Sequence, residues 1–257
     1  MGIVGKVAAS AALGSSLSDR ARLGVYHARI ALANRLPLPP PGTVTAAIRP
    51  DGRRVIVGDA GELAVLHAVL VDEEYADDRP PPDVVVDLGA NAGFATLFFK
   101  RRYPHARVVA VEADPRAYAR LVQNVGTLEG VTTFHCAVAA EDGTMPFYCS
   151  PLSSIGSSLD RRSPGDEEVP IEALTLSSLL DRSGVAHVDL LKIDVEGAEA
   201  AVLPTAPLAR ITEIVGELHY DRPGVTAAAM RALLDPPFRV EIRELPKSGL
   251  AFLRATR

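Results

Sequence analysis

The stretch 83–96 reads DVVVDLGANAGFAT and decides the fold class. Its valines at 84–86 are not interrupted by polar residues, which is typical of a parallel strand buried on both faces. Glycines at 89 and 93 then mark a turn into a helix, predicted over residues 94–102. A turn at the carboxyl end of a strand, facing the positive end of a helix, favours a nucleotide-type ligand.

The next predicted strand adds a second signal. Residues 107–112 read RVVAVE and end on Glu112, where a carboxylate is expected to hold the ribose hydroxyls of an adenosine. The turn departs from the G-x-G-x-x-G pattern of dinucleotide sites, because its order is Asp-x-Gly-x-Asn-x-Gly. An acid at Asp87 repels a pyrophosphate and suits a cationic ligand.

Four motifs resemble the FkbM family of S-adenosylmethionine-dependent methyltransferases: DLGANAG at 87–93, VEADP at 111–115, LLKIDVEGAE at 190–199 and ELH at 217–219. The resemblance covers roughly residues 62–254. It implies an α/β, Rossmann-like class I methyltransferase with a seven-stranded, mostly parallel sheet and a closing antiparallel hairpin. Because family members generally methylate hydroxyl groups of sugars and other small molecules, it also implies an O-methyltransferase of natural-product biosynthesis.

The resemblance further implies where the cofactor contacts lie. The glycine turn would hold the methionine end and Glu112 the ribose. The exit of the strand predicted over 132–138, at Ala137 and Val138, would hold the adenine. Tyr75, which precedes the first nucleotide strand, would face the cofactor. The full predicted set is Tyr75, Asp87, Gly89, Asn91, Gly93, Glu112, Ala113, Ala137, Val138 and Asp194.

Methyl transfer to a hydroxyl depends on positioning, and a base or a bound cation helps because a protonated alcohol is a poor nucleophile. The predicted catalytic residues follow the fourth and fifth parallel strands and are Asp194, Glu196, Glu217 and His219. Their concentration favours either a proton-abstracting site or a hard-cation site. Mg²⁺ stays open as a cofactor, although a Glu-His pair differs from the paired oxygen ligands of related metal-dependent enzymes.

Several residues have a structural interpretation instead. Glu196 and Glu199 stand at a helix start, where carboxylates stabilise the macrodipole without any catalytic role. Lys192 is expected to pair with an acid, and the other histidines, His27 and His67 among them, are interpreted as core or surface residues. The DPPF sequence at 235–238 matches a methyltransferase signature in the wrong place, so we interpret it as a helix stop.

The first part of the chain is predicted to be an extension, over 1–79, that precedes the methyltransferase domain at 80–257. An amphipathic helix over 19–36 is expected to pack on the core, pair with a second copy in a homo-oligomer, cap the substrate mouth, or simply face solvent. Asp51-Gly52 predicts a hairpin between 43–49 and 54–57. Residues 1–58 are basic, with eight lysines and arginines against two aspartates, whereas the whole chain of 257 residues has a formal net charge of −5, which gives no general attraction to nucleic acid.

No long uninterrupted apolar run predicts a membrane span, and the first residues show no clear cleavage pattern of a signal peptide. Cys136 and Cys149 are expected to be reduced core thiols of a cytoplasmic protein. Residues 150–165 have no periodicity and predict a mobile loop, either a substrate lid or a plain solvated loop.

Three other functions stay open at this point. The first is N-methylation of an amino sugar or a related amine. The second is a NAD-dependent oxidoreductase, and the third is a partner-binding protein that keeps the cofactor fold without turnover.

Overall fold

The computed structural model describes residues 2–36, 38–39, 41–78, 80–151, 153, 157–159, 164–220, 224–245 and 249–257. Much of the predicted loop at 150–165 lies outside these residues, as do parts of the proline-rich connectors and of the closing turn. In chain order the elements are α1 (Ile3–Leu13), α2 (Leu17–Ala33), β1 (Val44–Ile48), β2 (Arg53–Val57), α3 (Ala60–Leu70), β3 (Val84–Leu88), α4 (Phe94–Arg102), β4 (Arg107–Glu112), α5 (Pro115–Val125), β5 (Val131–His135), β6 (Ala137–Val138), β7 (Gly143–Cys149), β8 (Glu167–Leu174), α6 (Leu176–Ser183), β9 (Val188–Ile193), α7 (Glu199–Val202), β10 (Ile211–His219), α8 (Ala227–Leu234), β11 (Arg239–Leu245) and β12 (Leu250–Thr256).

The central sheet has seven strands in the order β11-β12-β10-β9-β3-β4-β5. β3 runs parallel to both β4 and β9, whereas β12 runs antiparallel to β10 and β11. This confirms the predicted α/β fold with a closing antiparallel hairpin. The chain builds outward from β3 in one direction and from β9 in the other, so a crevice for ligands is expected at the carboxyl ends of these two strands.

Local sequence signals placed most of the elements correctly. Val85 and Val86 of β3 are buried, as are Val108, Val109 and Val111 of β4, which is the burial expected of parallel strands covered on both faces. The Asp114 side chain caps α5 by accepting from the backbone N–H groups of Arg116 and Ala117, and α8 ends at Leu234, directly before the DPPF stop. The predicted hairpin forms between β1 and β2.

Two features of the fold differ from the prediction. The strand predicted over 132–138 divides at Cys136 into β5 and β6, and β6 pairs with β8 in a separate three-stranded sheet. No glycine or proline marks the break at Cys136, so it is visible only because β5 and β6 pair with different strands. The helix α1 was not predicted, because its small and apolar residues give little periodicity.

The extension packs on the domain predicted at 80–257. Leu23 and Ile30 of α2 belong to one buried cluster with Phe94 and Leu121, so the cluster crosses the predicted boundary at residue 79. The described residues of α2 do not line the cavity that holds the predicted site residues, which argues against the idea that α2 caps the substrate mouth. Pairing with a second copy stays a prediction. No helix among the described residues combines the length and apolar character needed to cross a bilayer.

Asn124 joins the extension to the nucleotide turn. Its side chain is buried and accepts from Ile56 N at 2.7 Å, while its amide donates to Ile56 O at 3.0 Å and to Ala92 O at 2.8 Å. One amide on α5 therefore satisfies backbone groups of both β2 and the turn after β3. A buried backbone group that loses its partner costs free energy that water cannot restore.

We expect Asn124→Ala to lower the free energy of unfolding by about 2–4 kcal/mol, because one buried and two partly buried backbone groups lose their partner. Urea denaturation followed by circular dichroism measures this change. Gln123→Ala is the matched control, since Gln123 lies on the same helix and is exposed. Equal midpoints for Asn124→Ala and the unmodified protein would show that this amide does not hold the two segments together.

Candidate active site

A cavity of about 690 Å³ opens at the carboxyl ends of β3, β4, β9 and β10. Most of the predicted site residues line it: Tyr75, Gly89, Asn91, Glu112, Ala113, Ala137, Val138, Asp194, Glu196, Glu217 and His219. The predicted cofactor residues and the predicted catalytic residues thus surround the same space. Asp87 and Gly93 do not line it.

Asp87 lies below the cavity and is 0% exposed. Its Oδ2 accepts from the Thr96 hydroxyl at 2.6 Å, and its Oδ1 lies 3.2 Å from the Lys192 ammonium. Asp87 and Lys192 are neighbours in the register of β3 and β9, so their side chains share a face. The structure therefore places Asp87 beneath Lys192, and Lys192 lines the cavity.

Lys192 connects the tips of the two central strands. Its ammonium donates to Gly89 O at 2.7 Å and to Leu88 O at 3.3 Å, and it lies 3.7 Å from Asp194 Oδ2. Burial by itself lowers the pKa of this lysine, but the carboxylates of Asp87 and Asp194 raise it above its ordinary value. Lys192 is thus a permanent cation under the cavity, which confirms its predicted pairing with an acid.

The two glycines of the turn are needed for packing within the chain. Gly89 has φ of 72°, and a Cβ there would overlap the carbonyl oxygen of Asp194. Gly93 has φ of 88°, and a Cβ there would lie 2.8 Å from a methyl of Leu121. The structure shows that both glycines make room for the tip of β9 and for α5. That they also let the backbone approach a ligand closely stays a prediction, and Gly89 lines the cavity.

Glu112 stands on the other side of the turn and is 8% exposed. One carboxylate oxygen accepts from Asn91 N and the other from Asp114 N, each at 2.7 Å. Burial raises the pKa of this carboxyl to about 7, although the two N–H donors oppose the shift. Because each carboxylate oxygen can accept a second hydrogen bond, Glu112 can still bind a pair of hydroxyl groups in the cavity.

The acidic side of the cavity is built by the tips of β9 and β10. Asp194, Glu217 and His219 each offer a ligand atom, and these atoms lie within 4.8 Å of one another. His219 Nε2 is 3.4 Å from Glu196 Oε2, and its Nδ1 is 2.9 Å from Glu199 Oε1. The four predicted catalytic residues are therefore brought together, and the buried Glu199 supports them from below.

The histidine is held between carboxylates. Burial alone would lower the pKa of His219, but its hydrogen bonds to Glu196 and Glu199 raise that pKa to about 11. The ring is therefore an imidazolium near neutral pH in this arrangement. It can donate a hydrogen bond to an acceptor molecule, whereas it cannot take a proton from one.

Residues 87–243 match the family model described as the methyltransferase FkbM domain, which is more than half of the chain. The chain belongs to the FkbM methyltransferase family.

Two relatives whose names describe them as methyltransferases are similar in sequence to this chain. The chain is 32% identical to methyltransferase sdnD of Sordaria araneosa over 156 residues, which is 48% of this chain and 60% of the relative. It is 28% identical over 207 residues to the 31-O-demethyl-FK506 methyltransferase FkbM of Streptomyces tacrolimicus, covering 66% of this chain and 80% of that one. The sdnD match thus spans less than two thirds of that relative.

A solved structure shows the same fold. The crystal structure of methyltransferase FkbM from Methylobacillus flagellatus KT aligns with 98% of this chain and 58% of its own length, at a TM-score of 0.51 and 13% identity. At that identity the likeness concerns the fold alone. It agrees with the class I arrangement of the seven-stranded sheet described above.

The FkbM-type cavity also contains residues that the sequence did not reveal. Glu74 lines it next to Tyr75, and burial together with the Asp194 carboxylate raises the pKa of Glu74 to about 7. Burial, Asp194 and Glu74 likewise raise the pKa of Glu217 to about 8. The run of three acids at 72–74 was the available signal, but only the fold decides which of them faces inward.

The described parts of the predicted loop at 150–165 also reach this cavity. Ser150, Pro151, Ser157 and Leu159 line it. The Ser157 hydroxyl donates to Asp114 Oδ2 at 2.8 Å, so the carboxylate that caps α5 also anchors this segment. The segment is part of the cavity wall, which a plain solvated loop would not be.

We expect Lys192→Met to lower the free energy of unfolding by about 3–5 kcal/mol, because it leaves the Asp87 carboxylate buried without a counter-charge. The double variant Asp87→Asn with Lys192→Met should recover part of that loss, since both charges are removed together. Urea denaturation of both variants tests this, with Lys6→Met as a control at an exposed lysine. A Lys192→Met protein as stable as the original would contradict the ion pair.

Proposed function

We propose that the chain is an S-adenosylmethionine-dependent O-methyltransferase of a small polar molecule, such as a sugar-bearing natural product. The observation that carries the proposal is that one cavity has Glu112 on one side and Asp194, Glu217 and His219 on the other. The name of one relative, 31-O-demethyl-FK506 methyltransferase, supports oxygen as the acceptor atom.

The nucleotide side of the cavity fits this cofactor. Glu112 keeps free lone pairs for two ribose hydroxyls, and Ala137 and Val138 offer apolar surface for an adenine. Asn91 and Gly89 line the cavity at the turn, where the methionine end is proposed to lie. When bound, S-adenosylmethionine supplies an electrophilic methyl group on a sulfonium, and the carboxylates of the cavity favour a cation of this kind.

The acidic side fits a hydroxyl acceptor. The His219 imidazolium is a hydrogen-bond donor that can orient the acceptor oxygen, and Asp194 is a nearby carboxylate that can accept the proton. Tyr75 and the apolar wall of α3 enclose this side, which limits access of water. Orientation and exclusion of water are the main contributions that a protein makes to methyl transfer.

One alternative has an observation in its favour. The carboxylates of Glu74, Glu196 and Glu217 would also attract a protonated amine, as N-methylation of an amino sugar requires. That acceptor must lose its proton before it reacts, so the rate of N-methylation should rise as the pH approaches the pKa of the amine.

We also keep a cytoplasmic location as a proposal, because Cys136 and Cys149 are buried free thiols.

Calorimetric titration with S-adenosylhomocysteine and with NAD tests the cofactor. We expect micromolar binding of the former and none of the latter. Glu112→Gln should weaken the binding by roughly tenfold to a hundredfold, because charged hydrogen bonds to the ribose are lost. Glu129→Gln is the exposed control. Preference for NAD would favour the oxidoreductase and refute the methyltransferase proposal.

The pH dependence of the same titration reports on Glu112 separately. The ionised carboxylate accepts both ribose hydroxyls, so affinity should rise with pH through the pKa of about 7. Between pH 6 and pH 8 the dissociation constant should fall roughly tenfold if only the ionised form binds. In Glu112→Gln this dependence should disappear. A flat profile in the unmodified protein would argue against a ribose contact by this carboxylate.

A further inference from the structure

We propose that Asp194, Glu217 and His219 bind a divalent first-row transition metal ion next to the acceptor hydroxyl. The role of this ion rests on the proposed methyl transfer, whereas its binding does not. The donors come from two adjacent strand tips. β9 and β10 pair in parallel with Ile193 opposite Gly216, so the residues that follow these positions, Asp194 and Glu217, are neighbours.

The orientation of His219 is the observation that separates this cluster from a simple group of acids. Glu199 is 0% exposed and holds Nδ1 of the ring at 2.9 Å, which leaves Nε2 toward the cavity. Nε2 then lies 4.0 Å from Asp194 Oδ1. A buried carboxylate that fixes the far nitrogen of a histidine is the usual support of a metal-binding imidazole.

Glu199 is itself held in place. Its Oε1 also accepts from the backbone N–H groups of Val195 and Gly197, in the turn that carries Asp194 and Glu196. Its Oε2 is buried and has no hydrogen-bond partner among the described residues. Burying a carboxylate is costly unless it is paired, and Glu199 is paired with the His219 ring, whose direction it thereby sets.

The donor set selects the type of ion. One imidazole and two carboxylates suit Mn²⁺, Fe²⁺, Co²⁺ or Zn²⁺, whereas Mg²⁺ prefers oxygen ligands and retains its waters. A protonated amine would be satisfied by the carboxylates alone and gives no reason for an imidazole with a fixed ring. The geometry therefore favours a transition metal over both Mg²⁺ and an organic ammonium.

A bound ion would give the residues of this cluster different roles. Metal binding releases the Nε2 proton of His219 to solvent, and the ring then coordinates through that nitrogen. An acceptor hydroxyl beside the ion loses its proton more readily. With the ion bound, Asp194 is a ligand, so the proton of the acceptor hydroxyl passes instead to Glu196, which lies 3.4 Å from Nε2 and is outside the three ligands.

The test uses Mn²⁺ as the probe. The chelator-treated protein of residues 1–257 is titrated with Mn²⁺, and free Mn²⁺ is measured by electron paramagnetic resonance. We expect one ion per chain, with affinity at least tenfold weaker in Glu217→Gln and in His219→Asn. Glu199→Gln should weaken it roughly tenfold to a hundredfold through the ring orientation alone. An excess of Mg²⁺ should not displace the bound Mn²⁺.

His187→Asn is the matched control, because His187 also faces a carboxylate, Asp189, at 3.7 Å but lies at the opposite end of β9. It should bind Mn²⁺ as the unmodified protein does. Thermal melting by circular dichroism checks that each variant is folded. Because two ligands are replaced in separate variants, the test still holds if one of these variants does not fold.

Three outcomes would overturn the metal site. They are no saturable Mn²⁺ binding, binding that survives both ligand substitutions, and displacement by Mg²⁺ at similar concentration. Titration with S-adenosylhomocysteine in the absence of metal is measured in parallel. Cofactor binding without Mn²⁺ binding would refute the metal site alone, and Mn²⁺ binding without cofactor binding would refute the proposed methyl transfer alone.

Discussion

The site depends on one buried cation at the point where the chain order of the sheet reverses. Lys192 lies between the Asp87 carboxylate below and the Asp194 carboxylate above, and it donates to the backbone at the end of β3. β3 and β9 are neighbours in the sheet but distant in sequence, so this ammonium fixes the relative position of their tips. The two halves of the cavity are built on those tips.

The charge of the cavity follows from this arrangement. Lys192 pairs with Asp87 and Asp194, so it offsets the other carboxylates of the cavity only in part. Glu74, Glu112 and Glu217 all have a raised pKa because they are buried close to further acids. A protein tolerates such a concentration of acids where a cation binds. The sulfonium of the proposed cofactor and the proposed metal ion are both of this kind.

The small segments around the sheet complete the site by hydrogen bonds between distant parts of the chain. Asn124 ties the β1–β2 hairpin to the nucleotide turn, and Asp114 ties the segment after β7 to the start of α5. Glu199 does the same for His219. Each of these is a buried polar side chain whose partners lie far away in sequence, and their directional bonds hold the cavity wall in one conformation.

The sequence by itself determined the α/β fold, the parallel strands around 84–88 and 107–112, the helix caps and the FkbM resemblance, because hydrophobic pattern and turn chemistry are local properties. It also brought Asp194, Glu196, Glu217 and His219 to one edge, since the carboxyl ends of parallel strands meet there. Only the tertiary structure decided that Asp87 lies below the cavity, that Glu74 faces it, and that Glu199 holds His219. These are contacts between residues far apart in the chain, and no local pattern specifies the direction in which a side chain meets a distant partner.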